Sequence, residues 1–178
     1  NCKLLEDDIN DCLYVIRNYL KENGNHCIKE ITIKRGNALG ELLVNVYSLD
    51  DSDIGIVNYL RKNAKNIKTI IYNERIVLGD GYIGQIINGY MFNCSYNSFF
   101  QVNSMQTEKL YSIAVKLAKL NKNDVVMDLY CGTGTIASIL SSYVKKVIGV
   151  EIVENAIIDA KENLKINNIN NVSFICSD

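Results

Sequence analysis

The chain has 178 residues, of which 48% are hydrophobic and 22% charged, so it can bury a core as one large domain or two small ones. A formal net charge of −1 excludes a global electrostatic attraction to nucleic acid or membranes. Because no apolar run approaches the ~20 residues of a membrane span and no signal-peptide pattern opens the chain, we expect a soluble, cytoplasmic protein without a membrane partner. The six cysteines include no C-x-x-C pair, which favours reduced thiols.

The first half of the sequence predicts a small α+β domain. Apolar residues at helical spacing predict a helix over residues 5–23, and alternating runs over 28–34 and 41–48 predict a hairpin. A second helix is predicted from about residue 51 to residue 63, followed by a strand over 67–72. Residues 75–92 predict a second hairpin turning near residues 79–81. Antiparallel pairs of this kind favour a separate domain, which we assign to residues 1–96.

The second half, residues 97–178, alternates helices with strands. An amphipathic helix is predicted over 104–120, with Leu110, Ile113 and Leu117 facing inward. Strands are then predicted at 125–129, 147–152 and 172–176, with helices at 134–142 and 154–166 between them. This order predicts a parallel sheet in which the strand after Asn123 lies inside and the others step to one side. The expected fold class is therefore α/β, a Rossmann-like sheet preceded by a small α+β domain.

The two ends of the chain suggest that the sheet is incomplete. The sequence begins at Asn1 without an initiator methionine and stops at Asp178, directly after the third predicted parallel strand. Because a doubly wound sheet normally continues past three strands, we expect a truncated sheet from a longer protein. The strand at 125–129 would then have an unpaired edge, and such an edge predicts self-association.

Residues 125–137 (VVMDLYCGTGTIA) form the most informative pattern. An apolar strand ends at Asp128, a glycine-rich turn follows and a helix of small residues begins, which brings backbone N–H groups against a nucleotide-like ligand. The next apolar run ends at Glu151, where a carboxylate can accept hydrogen bonds from ribose hydroxyls. The glycines also match the dinucleotide pattern G-x-G-x-x-A, so alone they leave both NAD and S-adenosylmethionine open. The carboxylate of Asp128 favours S-adenosylmethionine, because it would repel a pyrophosphate.

Three motifs together resemble a known family. They are NSFFQVN at 97–103, DLYCGTG at 128–134 and GVEI at 149–152. In this order the chain resembles the RNA (uracil-5-)-methyltransferases, which modify transfer RNA and 23S ribosomal RNA. Residues 1–96 look like the central domain of these enzymes and residues 97–178 like the first half of their methyltransferase domain. The resemblance implies S-adenosylmethionine-dependent methylation of a uridine at C5, giving 5-methyluridine, with ribosomal RNA favoured over tRNA as the partner.

The resemblance also implies a cofactor site. Its six residues would be Gln101, Tyr130, Gly132, Thr135, Glu151 and Asp178. Gln101 would contact the methionine part of the cofactor, Tyr130 and the glycine turn would line the pocket, and Glu151 would hold the ribose. Asp178 would lie at the adenine. At Thr135 the chain departs from relatives that have asparagine, which makes this contact less secure.

The resemblance assigns no catalytic residue to this chain. In the family the attacking cysteine and the base belong to later motifs, so we expect this chain alone to transfer no methyl group. Cys131 lies in the cofactor turn, where we interpret it as structural. Phe100 would pack on the target base or support its own loop.

Two further residues bear on metal binding. By resemblance, Cys2 matches the last of four cysteines that bind a 4Fe–4S cluster in some members, and such a cluster requires four thiolates. Since its partners would precede Asn1, we expect a cluster only in a longer protein. His26 has no metal-ligand spacing around it, so we interpret it as a surface or hydrogen-bonded histidine.

Two alternatives to the methyltransferase hypothesis remain at this point. A nicotinamide-dependent oxidoreductase would share the glycine turn and Glu151. A non-catalytic RNA-binding module would need a basic, aromatic face, which the acidic balance of the chain disfavours.

Overall fold

The structure, a computed structural model, describes residues 2–24 and 27–178 and forms two compact units. The first unit extends to Ile83 and the second runs from Gly84 to Asp178. This boundary precedes the one expected after residue 96, because the strand at Tyr90–Ser95 packs in the second unit. His26, interpreted above as a surface or hydrogen-bonded histidine, lies outside the described residues. No helix in the described ranges is both long and apolar enough to cross a membrane.

The first unit combines two helices with a four-stranded sheet. Its elements are α1 (Asp7–Asn23), β1 (Ile28–Arg35), β2 (Leu42–Ser48), α2 (Gly55–Asn63), β3 (Ile67–Tyr72) and β4 (Arg75–Leu78). The strands lie in the order β1-β2-β3-β4. The predicted hairpin over 28–34 and 41–48 is confirmed by the antiparallel pair β1–β2, and β3–β4 is a further antiparallel pair, whereas β2 and β3 run parallel. The reason is that α2 returns the chain across the sheet, as a parallel connection requires.

The second predicted hairpin, over residues 75–92, is wrong. β4 pairs with β3 across Asn73 and Glu74, which have φ angles of 46° and 64° as a two-residue hairpin turn requires. The next two strands, β5 (Tyr82–Ile87) and β6 (Tyr90–Ser95), pair with each other across Asn88 and Gly89, which also have positive φ. The segment at 79–81 therefore connects two hairpins instead of turning one.

The core of the first unit lies between the helices and one face of the sheet. α1 contributes Cys12 and Ile16, α2 contributes Ile56 and Leu60, and the sheet contributes alternate residues such as Val44. All five are at most 4% exposed. The helical and strand periodicities of the sequence therefore select the buried faces as expected.

The second unit contains the β5–β6 hairpin and an alternating α/β segment. The segment comprises α3 (Ser104–Ala118), β7 (Val125–Leu129), α4 (Thr135–Leu140), β8 (Lys146–Glu151), α5 (Glu154–Ile166) and β9 (Val172–Cys176). β7, β8 and β9 form a parallel sheet in that order, which confirms the expected α/β class and the stepping of the strands to one side. Among the described residues, β7 forms one edge of this sheet.

The two faces of the parallel sheet differ in burial. On one face Val126, Val147 and Val172 form a cross-strand row that packs with Ala137 and Leu140 of α4. On the other face alternate residues are open to solvent, and Val125, Met127 and Leu129 of β7 are 57–59% exposed.

Helix α3 does not bury the face that the sequence predicts. Leu110, Ile113 and Leu117 are 56–73% exposed, so their expected inward orientation is wrong in this structure. The helix instead directs Tyr111 and Val115 toward the core. These two residues pack against the buried cluster of Ile87, Phe92 and Ile139, which leaves the more apolar stripe on the solvent side.

Candidate functional site

The second unit contains a hollow of about 330 Å³ at the carboxyl end of β7. Parallel α/β sheets bind ligands at this edge. The hollow is lined by the segment before α3, by α3 and by the turn after β7, with Phe99, Phe100, Gln101, Thr107, Leu110, Tyr111, Asp128, Tyr130, Cys131, Gly132, Thr133, Thr135 and Ile136. A larger, more open groove of about 640 Å³ lies along the second half of α5, but it contains no residue of the three motifs. The chemistry of the lining therefore selects the smaller hollow.

The glycine turn packs closely against residues of β9 and α5. Gly134 has a φ of 74°, and a Cβ there would lie 2.5 Å from the ring of Phe174 and 3.1 Å from the Cβ of Ala160. Gly149 of β8 would likewise place a Cβ within 2.5 Å of Phe174. Both positions require glycine, since such contacts are shorter than van der Waals packing allows. The turn is therefore held close to β9 and α5.

Tyr130 adopts a backbone conformation that is unusual for a bulky residue. Its φ is 61°, in the left-handed region that costs an ordinary L-residue about 1–2 kcal/mol. Its side chain is 89% exposed and borders the hollow. Strained residues of this kind concentrate at ligand sites, where the surrounding structure maintains them.

Asp128 brings an unsatisfied acceptor to the hollow. Burial raises the pKa of its carboxyl group from 3.8 to about 6, opposed in part by a hydrogen bond from the backbone of Ala137. The oxygen Oδ2 is buried and has no hydrogen-bond partner among the described residues. Such an acceptor is costly to leave unpaired and suits a ligand that offers a cationic or N–H donor.

Glu151 contacts the turn but does not line the hollow. One carboxylate oxygen accepts a hydrogen bond from the backbone N–H of Gly132 at 3.1 Å, and the other accepts one from Val153 at 2.9 Å. The residue is half-buried. Because each carboxylate oxygen can accept a second hydrogen bond, the group retains capacity for a hydroxyl donor.

The structure brings most of the predicted cofactor residues together. Gln101, Tyr130, Gly132 and Thr135 all line the same hollow, with Gln101 exposed and Thr135 buried. Asp178 is exposed and lies outside the lining. The roles assigned to these residues by resemblance stay predictions.

The aromatic pair before α3 splits between solvent and core. Phe99 is 77% exposed, whereas Phe100 is half-buried, with its ring centroid 6.0 Å from that of Phe92. Phe100 lines the hollow as well, so its position is compatible with both roles considered for it.

Cys131 is unsuited to act as a nucleophile. Burial raises the pKa of its thiol to about 12, with a further contribution from the charges of Asp128 and Glu151. Because the thiolate is the reactive form, this group stays protonated and inert near neutral pH. The environment supports the structural interpretation.

The described residues do not fit an iron–sulfur cluster. Cys2 is exposed in the first unit. No group of three or more His, Cys, Asp or Glu side chains across residues 2–24 and 27–178 could hold a metal ion. Cys2 alone supplies one thiolate of the four that such a cluster requires.

Sequence reasoning missed the contribution of α3 to the hollow. Thr107 and Tyr111 line it from positions four residues apart, on one face of the helix. The Thr107 side chain is buried and donates its hydroxyl to the Asn103 carbonyl at 2.8 Å. Their spacing was a usable signal, but the more apolar stripe at Leu110, Ile113 and Leu117 outweighed it.

Solved structures similar to this chain define its fold class. The tRNA (uracil-54, C5)-methyltransferase of Pyrococcus abyssi, solved in complex with S-adenosyl-L-homocysteine, matches with a TM-score of 0.75 at 20% identity, over 94% of this chain and 46% of that one. The tRNA m1G37 methyltransferase of M. jannaschii matches with a TM-score of 0.54 at 20% identity, over 92% and 50%. The chain therefore has the Rossmann-like fold of S-adenosylmethionine-dependent methyltransferases, which confirms the predicted fold class.

Sequence comparisons identify the family. A sequence model of the tRNA (uracil-5-)-methyltransferases matches residues 47–177. An uncharacterized RNA methyltransferase of Clostridium tetani is 33% identical over 99% of this chain and 45% of its own length, and one of Clostridium acetobutylicum is 35% identical over 98% and 43%. The chain belongs to the tRNA (uracil-5-)-methyltransferase family, as the motifs indicated, and spans less than half the length of these relatives. This membership also argues against the nicotinamide-dependent alternative.

Proposed function

We propose that this chain supplies the cofactor-binding part of an RNA methyltransferase that uses S-adenosylmethionine and methylates C5 of a uridine. The observation that carries the proposal is the hollow that the predicted residues Gln101, Tyr130 and Gly132 line together with Asp128, whose Oδ2 has no partner among the described residues. The structurally similar Pyrococcus abyssi enzyme, which was solved with S-adenosyl-L-homocysteine, supports the choice of cofactor.

The polar groups of the hollow, together with Glu151 behind its glycine turn, fit the two ends of this cofactor. Asp128 offers a carboxylate to the ammonium group of the methionine part, an ion pair strengthened by partial burial. At Gly132 the backbone of the turn can approach the ligand closely, because glycine has no side chain. Glu151, already bonded to that turn, would accept a ribose hydroxyl with its remaining capacity.

The side chains of this chain would orient and shield the reacting centre. When bound, S-adenosylmethionine supplies a methyl group on a sulfonium, which a carbon nucleophile can attack. Tyr130 and Phe100 border the hollow and would limit access of water to it. Cys131 keeps its proton and forms no covalent bond to the base.

We expect this chain alone to transfer no methyl group. The family resemblance assigns the attacking cysteine and the base to later motifs, and this kind of methylation depends on a covalent adduct to the pyrimidine. Incubation with labelled S-adenosylmethionine and unmodified ribosomal RNA should leave the RNA unlabelled. Formation of 5-methyluridine would overturn this part of the proposal.

The RNA partner is the finer part of the proposal. We favour 23S ribosomal RNA over tRNA as the substrate, and the cytoplasm as the location. An RNA substrate in general is supported by the family and by a similar structure described as a complex of aTrm5 and tRNALeu. A target uridine must leave its stack to reach the hollow, where Phe100 could contact it. Assays of a protein with the length of the relatives, on each RNA separately, would distinguish the two substrates.

A direct test of cofactor binding uses S-adenosyl-L-homocysteine as the probe. Ligand-observed NMR detects weak complexes, which we expect because the chain spans less than half the length of its relatives. NADH serves as the comparison ligand. Binding of S-adenosyl-L-homocysteine alone supports the proposal, and preferential binding of NADH contradicts it.

Self-association through the edge of the parallel sheet is a further proposal. Among the residues that the structure describes, β7 pairs on one side only, and its own side chains Val125, Met127 and Leu129 are exposed. We expect concentration-dependent dimers in analytical ultracentrifugation and less dimer in Met127→Lys. A monomer at high concentration would contradict the proposal.

A further inference from the structure

Helix α5 presents a polar stripe to the interior of the second unit. Asp159 and Asn163 of the helix and Asn167, its C-cap residue, follow one another at four-residue spacing and so lie on one side of it. Asn163 is fully buried, which is uncommon for an asparagine. None of the three lines the hollow, and the cofactor site described above does not use them.

Two members of the stripe bond to the backbone of β6. The side chain of Asn163 accepts a hydrogen bond from the N–H of Asn93 at 2.8 Å, and that of Asn167 accepts one from the N–H of Met91 at 2.9 Å. Each side-chain amide also donates to the carbonyl of the same strand residue. The helix thereby pairs with alternate residues of β6 much as a neighbouring strand would.

Asn163 also reaches the glycine turn. Its side-chain amide lies 3.4 Å from the carbonyl oxygen of Thr133, to which it donates. Thr133 is itself part of the lining of the hollow. One buried side chain therefore links β6 to the wall formed by the turn.

Asp159 bonds to the segment that leads into the loop before α3. The hydroxyl groups of Ser95 and Ser98 both donate to its Oδ2. The distance from the Ser95 oxygen to Oδ2 is 2.7 Å. The two hydroxyls also lie 3.0 Å apart, and Ser98 is 5% exposed. Hydrogen bonds to an ionised carboxylate are stronger than those between neutral groups.

The loop beyond Ser98 depends on such anchors for its position. Residues 99–102 lie outside the regular helices and strands and include Phe100 and Gln101, which line the hollow. At its far end Asn103 caps α3 by accepting a hydrogen bond from the N–H of Gln106. The loop is therefore held through Ser98 at its first end, by the packing of Phe100 on Phe92 in its middle, and through Asn103 at its far end.

We propose that Asp159 and Asn163 are positioning residues that fix the two walls of the hollow and thereby set its affinity for the cofactor. Asp159 orients the loop that contains Gln101, and Asn163 orients the glycine turn. This inference rests on the proposed function, because it assumes that S-adenosylmethionine binds in the hollow.

The test compares Asp159→Ala, Asp159→Asn and Glu162→Ala, with S-adenosyl-L-homocysteine as the probe. We expect Asp159→Ala to weaken binding about tenfold, equivalent to about 1.4 kcal/mol. Asp159→Asn retains an acceptor oxygen and should restore most of the affinity. Glu162 is an exposed carboxylate on the same helix, ion-paired with Lys165, and its removal should leave binding unchanged.

Backbone NMR relaxation separates positioning from general stability. In Asp159→Ala, without any ligand, the order parameters of residues 99–102 should fall below about 0.6, the range of flexible backbone, while those of the β7–β9 strands stay unchanged. Ser98→Ala, which removes one of the two hydroxyl donors and leaves the carboxylate in place, should give a smaller change of the same kind.

Two results would overturn the inference. Either unchanged order parameters at residues 99–102 in Asp159→Ala, or unchanged affinity in that variant, shows that the stripe does not position the loop. If the unaltered chain fails to bind the probe, the proposed function fails instead, and the relaxation data still decide whether α5 holds the loop.

Discussion

The carboxylate of Glu151 accepts the backbone N–H of Gly132 at 3.1 Å, which joins the end of β8 to the turn that follows β7. Two features that the sequence indicated separately, a glycine turn and an acid at the next strand tip, are thus in direct contact. Because Gly132 lines the hollow and Glu151 does not, the glutamate acts first on the shape of the turn.

This relationship predicts the effect of Glu151→Gln. The amide retains one acceptor oxygen but loses the charge and the second acceptor, so we expect a loss of about 1 kcal/mol in the free energy of unfolding. Affinity for S-adenosyl-L-homocysteine should fall about tenfold. Urea unfolding and NMR titration measure the two effects. Glu162→Gln, an exposed position further along α5 whose surface ion pair with Lys165 contributes little, is the matched control and should change neither measurably.

Gly149→Ala should destabilise the second unit. The added methyl group would lie 2.5 Å from the ring of Phe174 and 2.8 Å from the sulfur of Cys131. Overpacking of this kind costs about 1–3 kcal/mol, which urea unfolding can resolve. Phe174→Leu combined with Gly149→Ala should recover part of the loss, and strictly additive losses would show that the ring is not the obstacle.

Asp128 predicts a characteristic dependence of stability on pH. Burial raises its pKa from 3.8 to about 6, so between these values the folded chain binds more protons than the unfolded chain. This group therefore makes the free energy of unfolding decrease as pH rises from about 4 to about 6. At roughly 1.4 kcal/mol per pKa unit, the full effect near neutral pH is on the order of 1–3 kcal/mol.

Asp128→Asn should remove that effect. The variant should be more stable near neutral pH and should show a flatter stability profile between about pH 4 and pH 6. It should also bind S-adenosyl-L-homocysteine more weakly, because the neutral amide attracts an ammonium group less. Asp124→Asn, outside the hollow, is the control. A variant with the same pH profile as the unaltered chain would contradict the assigned burial of Asp128.

Tyr130→Gly should make the chain more stable and weaken its binding of the ligand. Glycine adopts a φ of 61° without strain, so we expect the free energy of unfolding to increase by about 1 kcal/mol. Loss of the ring should weaken binding of the same ligand, as NMR titration can measure. Asn168→Gly relieves a similar φ of 54° outside the hollow and should leave affinity unchanged. Tighter binding by Tyr130→Gly would contradict the assigned role of the ring.

The sequence predicted the parallel sheet and the glycine turn because both follow from local chemistry. The turn after Asp128 requires glycine at a left-handed position, and the apolar strands around it are short and continuous. The first hairpin was predictable for the same reason, since β1 and β2 alternate around a turn that contains Gly36 and Gly40.

Other features depended on tertiary contacts that a linear pattern does not contain. The turn between β3 and β4 uses Glu74 in a left-handed conformation, which is rare for glutamate, so glycines at 79 and 81 gave a stronger but misleading signal. The polar stripe of α5 resembles a solvated helix face in sequence. Only the approach of β6 reveals that Asn163 is buried.

The most direct test of the central claim is an NMR titration of the isotopically labelled chain with S-adenosyl-L-homocysteine. We expect chemical-shift changes at the amides of residues 99–102 and 128–136 and at Glu151, because these border or support the hollow. Shifts confined to the α5 groove at residues 158–170, or no shifts at millimolar ligand, would contradict the assignment of the hollow as the cofactor site.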